Sequence, residues 1–279
     1  MKTSIIFNYF NPKQSAALQR TAAFALESVR TTAGADCEII CADGSGLPSD
    51  ALAWQATGAG ITYAPSEHAE SFAETYNRGA RLATGEYLVL CASDIIFTAP
   101  WLEALVRPLA SGRVAMTCPY LSYSDYIAQC YAVSSQRNVF EPCCMTINVN
   151  AVRRDVWEQV GPLDLSYTGN YNDIEYLIRL RKQGLRAAVV DCGLVTHLGS
   201  ATLNTWSQLK PGQDRATFAA KHPEFATEDF WHQCWHPLLC RSRALRVLLR
   251  AALKTAPRSR RPLRVTSLLR WEPWFNRLS

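Results

Sequence analysis

Apolar and polar positions alternate in two rhythms over the first 110 residues. Short apolar runs at 4–9, 37–42, 61–63 and 86–91 read as buried strands. Helical spacing fills the intervals. Leu18, Thr21, Ala22, Ala25, Leu26 and Val29 stripe one face of a helix over 13–31, a second helix spans 68–83 and ends near Gly85, and Pro100 opens a third through Leu109. Asp43-Gly44-Ser45-Gly46 is a turn signal. This β-α-β-α-β order predicts a largely parallel sheet with helices on both faces. The rhythm then loosens. Strands are expected near 114–119, 143–149, 187–190 and 194–198, and helices at 151–159 and at 173–183, the latter stopped by Gly184.

The chain has 279 residues, 48% of them hydrophobic and 19% charged, which supplies a sizeable core and excludes wholesale disorder. No apolar run reaches the roughly 18 residues of a membrane-spanning helix. At about 150 residues per domain, the length fits two domains or one large α/β unit. The net charge of +5 is unevenly spread: residues 1–240 hold 18 basic and 23 acidic residues, whereas 241–279 hold eleven basic residues and one acid, Glu272. Within 238–254, Arg243, Arg246, Arg250 and Lys254 share one helical face. Leu238, Leu245, Leu248, Leu249 and Ala252 share the other, and Trp271, Trp274 and Phe275 follow. That pattern predicts that residues 238–279 dock on an anionic membrane surface, the competing account being a helix packed on the domain with a solvated basic face. No nucleic-acid-binding module accompanies the charge, so no nucleic acid partner is expected.

The first residues show no long apolar stretch and no small-residue cleavage site, so a cytoplasmic protein, peripheral on the inner face of the membrane, is expected. Of the ten cysteines, Cys37, Cys41, Cys91, Cys118, Cys144 and Cys192 sit in apolar segments and read as buried small hydrophobes. His232, Cys234, His236 and Cys240 cluster, but with no familiar zinc spacing.

Ligands of open α/β sheets bind beyond the carboxyl ends of strands, and Asp43 and Asp94 fall at two such ends. From here the ordered segments resemble the family 2 glycosyltransferases. The resemblance spans about residues 3–204. It rests first on Ser4-Ile5-Ile6-Phe7-Asn8-Tyr9-Phe10-Asn11, Ala42-Asp43-Gly44-Ser45, Asn77-Arg78-Gly79 and Ala83-Thr84-Gly85-Glu86-Tyr87. Ser93-Asp94, Pro100-Trp101-Leu102, Gly161-Pro162-Leu163-Asp164, Asn172-Asp173-Ile174-Glu175, Arg179-Leu180-Arg181-Lys182-Gln183-Gly184 and His197-Leu198-Gly199-Ser200 complete it.

The resemblance implies a GT-A-like, Rossmann-type mixed sheet flanked by helices. Residues 1–115 would form a nucleotide-sugar-binding half and 116–225 the acceptor-binding, catalytic half of the same domain, with a basic helical extension over 226–279. It also implies an inverting hexosyl- or deoxyhexosyltransferase of cell-surface polysaccharide or lipopolysaccharide synthesis, acting on a glycan or lipid-linked acceptor. Asp94 and His197 would hold Mn²⁺ or Mg²⁺ at the diphosphate. Asp173, its pKa lowered by the helix N-terminus, would be the general base, with Glu175 as alternate. Phe10, Asn11, Asp43, Arg78, Ser93 and Asp94 would line the donor site. Taken alone, several have plainer uses: Phe10 as a core aromatic, Asp43 as a turn residue, Arg78 as a solvated helix-face cation, His197 as a satisfied loop histidine.

Two positions depart from the family pattern. Ala42 stands where an acid commonly reads the base, and Ala92 where the first acid of the metal motif is usual. They leave room for a non-catalytic nucleotide-sugar- or glycan-binding protein. A nucleotidyltransferase is a weaker rival, because the 5–45 region lacks a Gly-rich triphosphate loop with a basic residue.

Overall fold

The computed structural model describes residues 2–98, 100–112, 114–123, 131–133, 139–142, 148–198 and 210–223. The basic tail, the His232–Cys240 cluster and Cys144 lie outside them.

The N-terminal half runs β1 (Thr3–Tyr9), α1 (Ala16–Thr32), β2 (Cys37–Asp43), α2 (Asp50–Ala59), β3 (Thr62–Pro65), α3 (Phe72–Leu82), β4 (Tyr87–Ala92), β5 (Ile95–Phe97) and α4 (Leu102–Ala110). Then follow β6 (Met116–Tyr123), β7 (Tyr131–Val133), β8 (Val139–Pro142), β9 (Val149–Arg153), α5 (Arg154–Val160), α6 (Asn172–Lys182), β10 (Ala187–His197) and α7 (Pro211–Lys221). The strands form one mixed sheet in the order β3-β2-β1-β4-β9-β6-β10-β8-β7, with β5 pairing β10 off that path.

The first four neighbours, β3-β2-β1-β4, are all parallel. Of these, β1, β2 and β4 are covered on both faces, which is why they read as unbroken apolar runs, while β3 lies at the sheet edge and is partly exposed. Alternation along β1 sends Ile5, Phe7 and Tyr9 into a core with α1, α2 and α4, and Ile6 into a second core with α3, α5 and α6. The second core needs close approach: a Cβ on Gly79 would meet Ile6 Cγ2 at 2.3 Å, and one on Gly85 the Ser4 nitrogen at 2.6 Å. Cys41, Cys91, Cys118 and Cys192 are buried free thiols, and burial pushes the first three well up, as inert core residues require.

Direction sets the site. Strand β9 is antiparallel to both β4 and β6, and β6 is parallel to β10. The carboxyl ends of β1, β2, β4 and β10 therefore share one edge of the sheet, which collects Phe10, Asn11, Asp43, Ser93, Asp94 and His197.

Several expectations need correction. Residues 151–153 close β9, so the helix expected at 151–159 is α5 alone. The two short strands expected over 187–198 are one strand, β10, with an irregularity against β6 between Val190 and Val195. Helices α2 and α7 were not anticipated. Helix α2 has an N-cap, Ser49, accepting the Leu52 N–H, and a left-handed Gly60 at its end.

Candidate active site

The Asp43 turn is built before any ligand arrives. Asp43 is buried; its Oδ1 accepts the Ser45 N–H at 2.9 Å and its Oδ2 the Tyr63 hydroxyl at 2.6 Å. The Gly44 N–H returns to the Tyr9 carbonyl, and the Asn11 N–H donates to Ser45 Oγ, so the turn is tied to the end of β1. Asn11 spends its amide locally: it donates to Tyr9 Oη and the Ser15 carbonyl and accepts the Ser15 N–H. Phe10 is buried beside it.

Arg78 is not a solvated helix-face residue. Its Nε and Nη2 grip the Glu70 carboxylate at 2.8–3.0 Å, Nη1 donates to the Ala64 carbonyl and Nη2 to that of Asp43. Its guanidinium thus braces the backbone of the Asp43 turn from below, and the pair is largely buried. A diphosphate contact would have to draw on a group already committed to protein oxygens.

Ser93 and Asp94 form the turn between β4 and β5. Strand β5 pairs antiparallel with the end of β10, Ile95 opposite His197, and the Leu198 N–H donates to the Asp94 carbonyl. These bonds bring two buried side chains together, His197 Nε2 lying 3.2 Å from Asp94 Oδ2. His197 Nδ1 is buried without a hydrogen-bond partner. Nearby Tyr76 is fully buried, its hydroxyl without a hydrogen-bond partner among the described residues, and burial, helped by the Asp94 carboxylate, raises its pKa. A carboxylate oxygen and an imidazole nitrogen 3.2 Å apart are spaced as two ligands of one ion, so Asp94 Oδ2 and His197 Nε2 fit a divalent ion such as Mn²⁺ or Mg²⁺. No group of three or more His, Cys, Asp or Glu side chains able to hold a metal occurs among the described residues. The chain therefore offers a two-donor seat, and Mg²⁺-type ions commonly complete such seats with phosphate oxygens and water.

Helix α6 carries the acids of the Asn172-Asp173-Ile174-Glu175 segment, and it separates them. Glu175 is buried, and both its oxygens accept from Arg179 Nε, at 2.8 and 2.9 Å. Asp173 has no ion pair among the described residues; its Oδ1 accepts the Ile174 N–H at 2.8 Å. Burial pushes its carboxyl up to about 6, against the lowering effect of the backbone N–H groups. This corrects the expected lowering, since desolvation outweighs the helix N-terminus. A carboxyl near 6 suits a base working at neutral pH.

Residues 4–139 match the sequence profile of Glycosyl transferase family 2. That stretch, just under half of the chain, is similar to the family 2 sequences. No curated protein matches the sequence. Two solved structures share the fold: GalNAc-T7 with UDP, GalNAc and Mn²⁺ (TM-score 0.60, 13% identity, over 88% of this chain and 52% of that one), and the mannosyltransferase PcManGT from Pyrobaculum calidifontis in complex with GDP-Man and Mn²⁺ (TM-score 0.59, 16% identity, over 99% and 82%). The fold is that of the GT-A glycosyltransferases. The chain spans about half the length of GalNAc-T7.

Within the matched stretch, Asn77-Arg78-Gly79 has a mechanical meaning that the sequence did not reveal. Asn77 exchanges two hydrogen bonds with Leu163, its amide donating at 2.8 Å and accepting at 2.9 Å. Next to it, Arg78 braces the Asp43 turn and Gly79 admits Ile6. Helix α3 thus ties the Asp43 turn to the loop that leads to Asp173. Glu70 and Asp214 were also missed: Glu70 pairs with Arg78 eight positions on, across the loop into α3, and Asp214 with residues 44–46 positions upstream.

Proposed function

We propose that the chain is an inverting glycosyltransferase. It moves a hexosyl or deoxyhexosyl group from a nucleotide-sugar to a glycan or lipid-linked acceptor in cell-surface polysaccharide or lipopolysaccharide synthesis. The observation that carries this reading is the division of labour on α6, where Glu175 is neutralised by Arg179 while Asp173, with no ion pair among the described residues, is held near 6. Asp173 takes the proton of the acceptor hydroxyl as its oxygen attacks the sugar C1, and the bond from C1 to the diphosphate breaks on the opposite face, inverting the centre. Asp94 and His197 would hold the divalent ion that, when bound, neutralises charge on the departing diphosphate. The Asp43 turn receives the nucleoside. The UDP and GDP-Man of the two structural neighbours support a nucleotide-sugar donor. The basic amphipathic stretch within 238–279 suits a cytoplasmic enzyme docked on the inner, anionic face of a membrane.

Ala42 and Ala92 favour a second reading, a nucleotide-sugar- or glycan-binding protein without turnover. A thermal-shift panel of UDP-, GDP- and dTDP-sugars with and without Mn²⁺, followed by turnover of the stabilising donor, separates the two. Turnover abolished in Asp173→Asn supports the enzyme. Binding without turnover in the wild type supports the second reading, and no stabilisation by any nucleotide refutes both.

A further inference from the structure

Helix α7 lies outside the family match, yet its contacts converge on the residues just ahead of Asp173. Asp214, in its first turn, is fully buried. Its Oδ1 accepts the Thr168 N–H at 2.7 Å, and its Oδ2 accepts the N–H groups of Gly169 and Asn170 at 3.2 and 2.9 Å and the Thr168 hydroxyl at 3.0 Å. Three consecutive backbone N–H groups closing on one carboxylate is an anion nest, here filled by a side chain of the same protein. One residue further on, Tyr171 has φ +68°, a left-handed conformation that costs a residue bearing a Cβ and persists only where its surroundings enforce it. The enforcing groups come from α7: Asp214 fixes the three preceding peptides, and the Phe218 ring stacks on Tyr171 with centroids 4.8 Å apart. Lys221 pins the same loop at its start through Asp164 and Ser166. Tyr171 is also the N-cap of α6, and its carbonyl accepts the Glu175 N–H at 2.8 Å. Its backbone therefore sets where α6 begins and how Asp173 is presented.

We propose that Asp214 is a positioning residue for Asp173, acting through the peptides of 168–170 and the left-handed Tyr171. The proposal rests on Asp173 as the general base. Asp214 touches no substrate; it holds the turn from which the base projects, and without it Tyr171 relaxes to φ below zero and the first turn of α6 reorients into solvent.

The test is Asp214→Asn, which keeps the size but turns an amide toward N–H donors, with two readouts. The first is the ¹³C titration of the Asp173 carboxyl, assigned by its loss in Asp173→Asn. Its midpoint is expected to fall from about 6 toward the ordinary carboxylate value near 4. The second is turnover of the donor found in the panel: kcat falls on the order of 10²-fold, the scale of a misplaced catalytic group. UDP or GDP affinity with Mn²⁺, by calorimetry, stays within about twofold, because the hydrogen bonds of Asp214 go to residues 168–170 and not to the Asp43 turn. An unchanged Asp173 midpoint in folded Asp214→Asn overturns the proposal, as does loss of nucleotide affinity in step with kcat. Should that variant fail to fold, Phe218→Leu removes the stack on the Tyr171 ring and should lower the midpoint in the same direction; no movement there overturns it as well. If the wild type turns over no nucleotide-sugar, the proposed function fails by itself and the titration still decides whether Asp214 places Asp173.

Discussion

Arg179 Nε lies 2.8 Å from Glu175 Oε1 and 2.9 Å from Oε2, and its two terminal nitrogens donate to the carbonyls of Val160, Gly161 and Pro162. Glu175 is therefore the anchor of a buried charged bracket joining α6 to the end of α5. Its neutral isostere, Glu175→Gln, should lower stability through loss of the ion pair while keeping kcat within about tenfold of wild type. Asp173→Asn should lose about 10³-fold or more, toward the upper end of what a positioned base contributes. A comparable loss in Glu175→Gln, with the fold intact by circular dichroism, would move the base to Glu175.

The raised Asp173 carboxyl has two signs to work out. Activity requires the ionised form, so kcat should fall as the pH drops through about 6. Stability runs the other way. The folded chain holds this proton more tightly than the unfolded chain, so the group is neutral to stability below about 4. It becomes destabilising as the pH rises through 4 to 6, by up to about 3 kcal/mol when fully ionised. Asp173→Asn should accordingly raise the urea midpoint at pH 7.5 and leave it unchanged at pH 4. Equal midpoints at both pH values would show that the carboxylate is well solvated.

The Asp94–His197 pair predicts how metal couples to nucleotide. In Asp94→Asn and His197→Gln, the gain in UDP or GDP affinity on adding Mn²⁺ should shrink by at least about tenfold, as when a ligand set is disturbed. Calorimetry with and without Mn²⁺ measures this, and an undiminished gain in both variants removes the pair from the metal site.

Arg78→Ala should act on the fold first. It leaves Glu70 buried without its partner, a loss of about 3–5 kcal/mol. A urea midpoint equal to wild type, with diphosphate affinity alone reduced, would return Arg78 to the role of ligand contact.

The basic stretch is tested in the full chain by Arg243→Glu, Arg246→Glu and Arg250→Glu together. Each basic residue near an anionic bilayer is worth about 1 kcal/mol, so partitioning onto phosphatidylserine-rich vesicles should drop by more than about 100-fold. Equal sedimentation with vesicles would leave the tail as a solvated face.

Much of the architecture could be read from residue order alone, and the reasons differ by element. Strands β1, β2 and β4 are buried on both faces, so their apolar runs are unambiguous. Helix α3 announces itself by the Ser71 and Glu74 capping box. Helix α2 hid because its Ala-rich body, 50–59, carries only a weak stripe, although Ser49-Asp50 and Gly60 mark both its ends. Site residues divided similarly. Asp94 and His197 could be expected at strand ends, since register decides where those ends meet. Asn11 and Arg78 had the right chemistry for a ligand, but their partners are protein atoms up to 35 positions away, which no local pattern encodes. Asp214 was invisible for the same reason: its partners lie 44–46 positions upstream.

The pairing of β5 with the end of β10 has a consequence for biosynthesis. Asp94 and His197 are about a hundred positions apart in sequence, and the β5–β10 ladder, with the Leu198 N–H on the Asp94 carbonyl, joins their backbones. At about 5–20 residues per second, the ribosome would deliver His197 some 5–20 seconds after Asp94. During that interval the parallel strands β1, β2, β3 and β4 can assemble, while β5 waits for its partner. A nascent chain paused before β10 would hold the Asp43 turn without His197 beside Asp94, so the meeting of these two side chains arrives late in synthesis and as a single step.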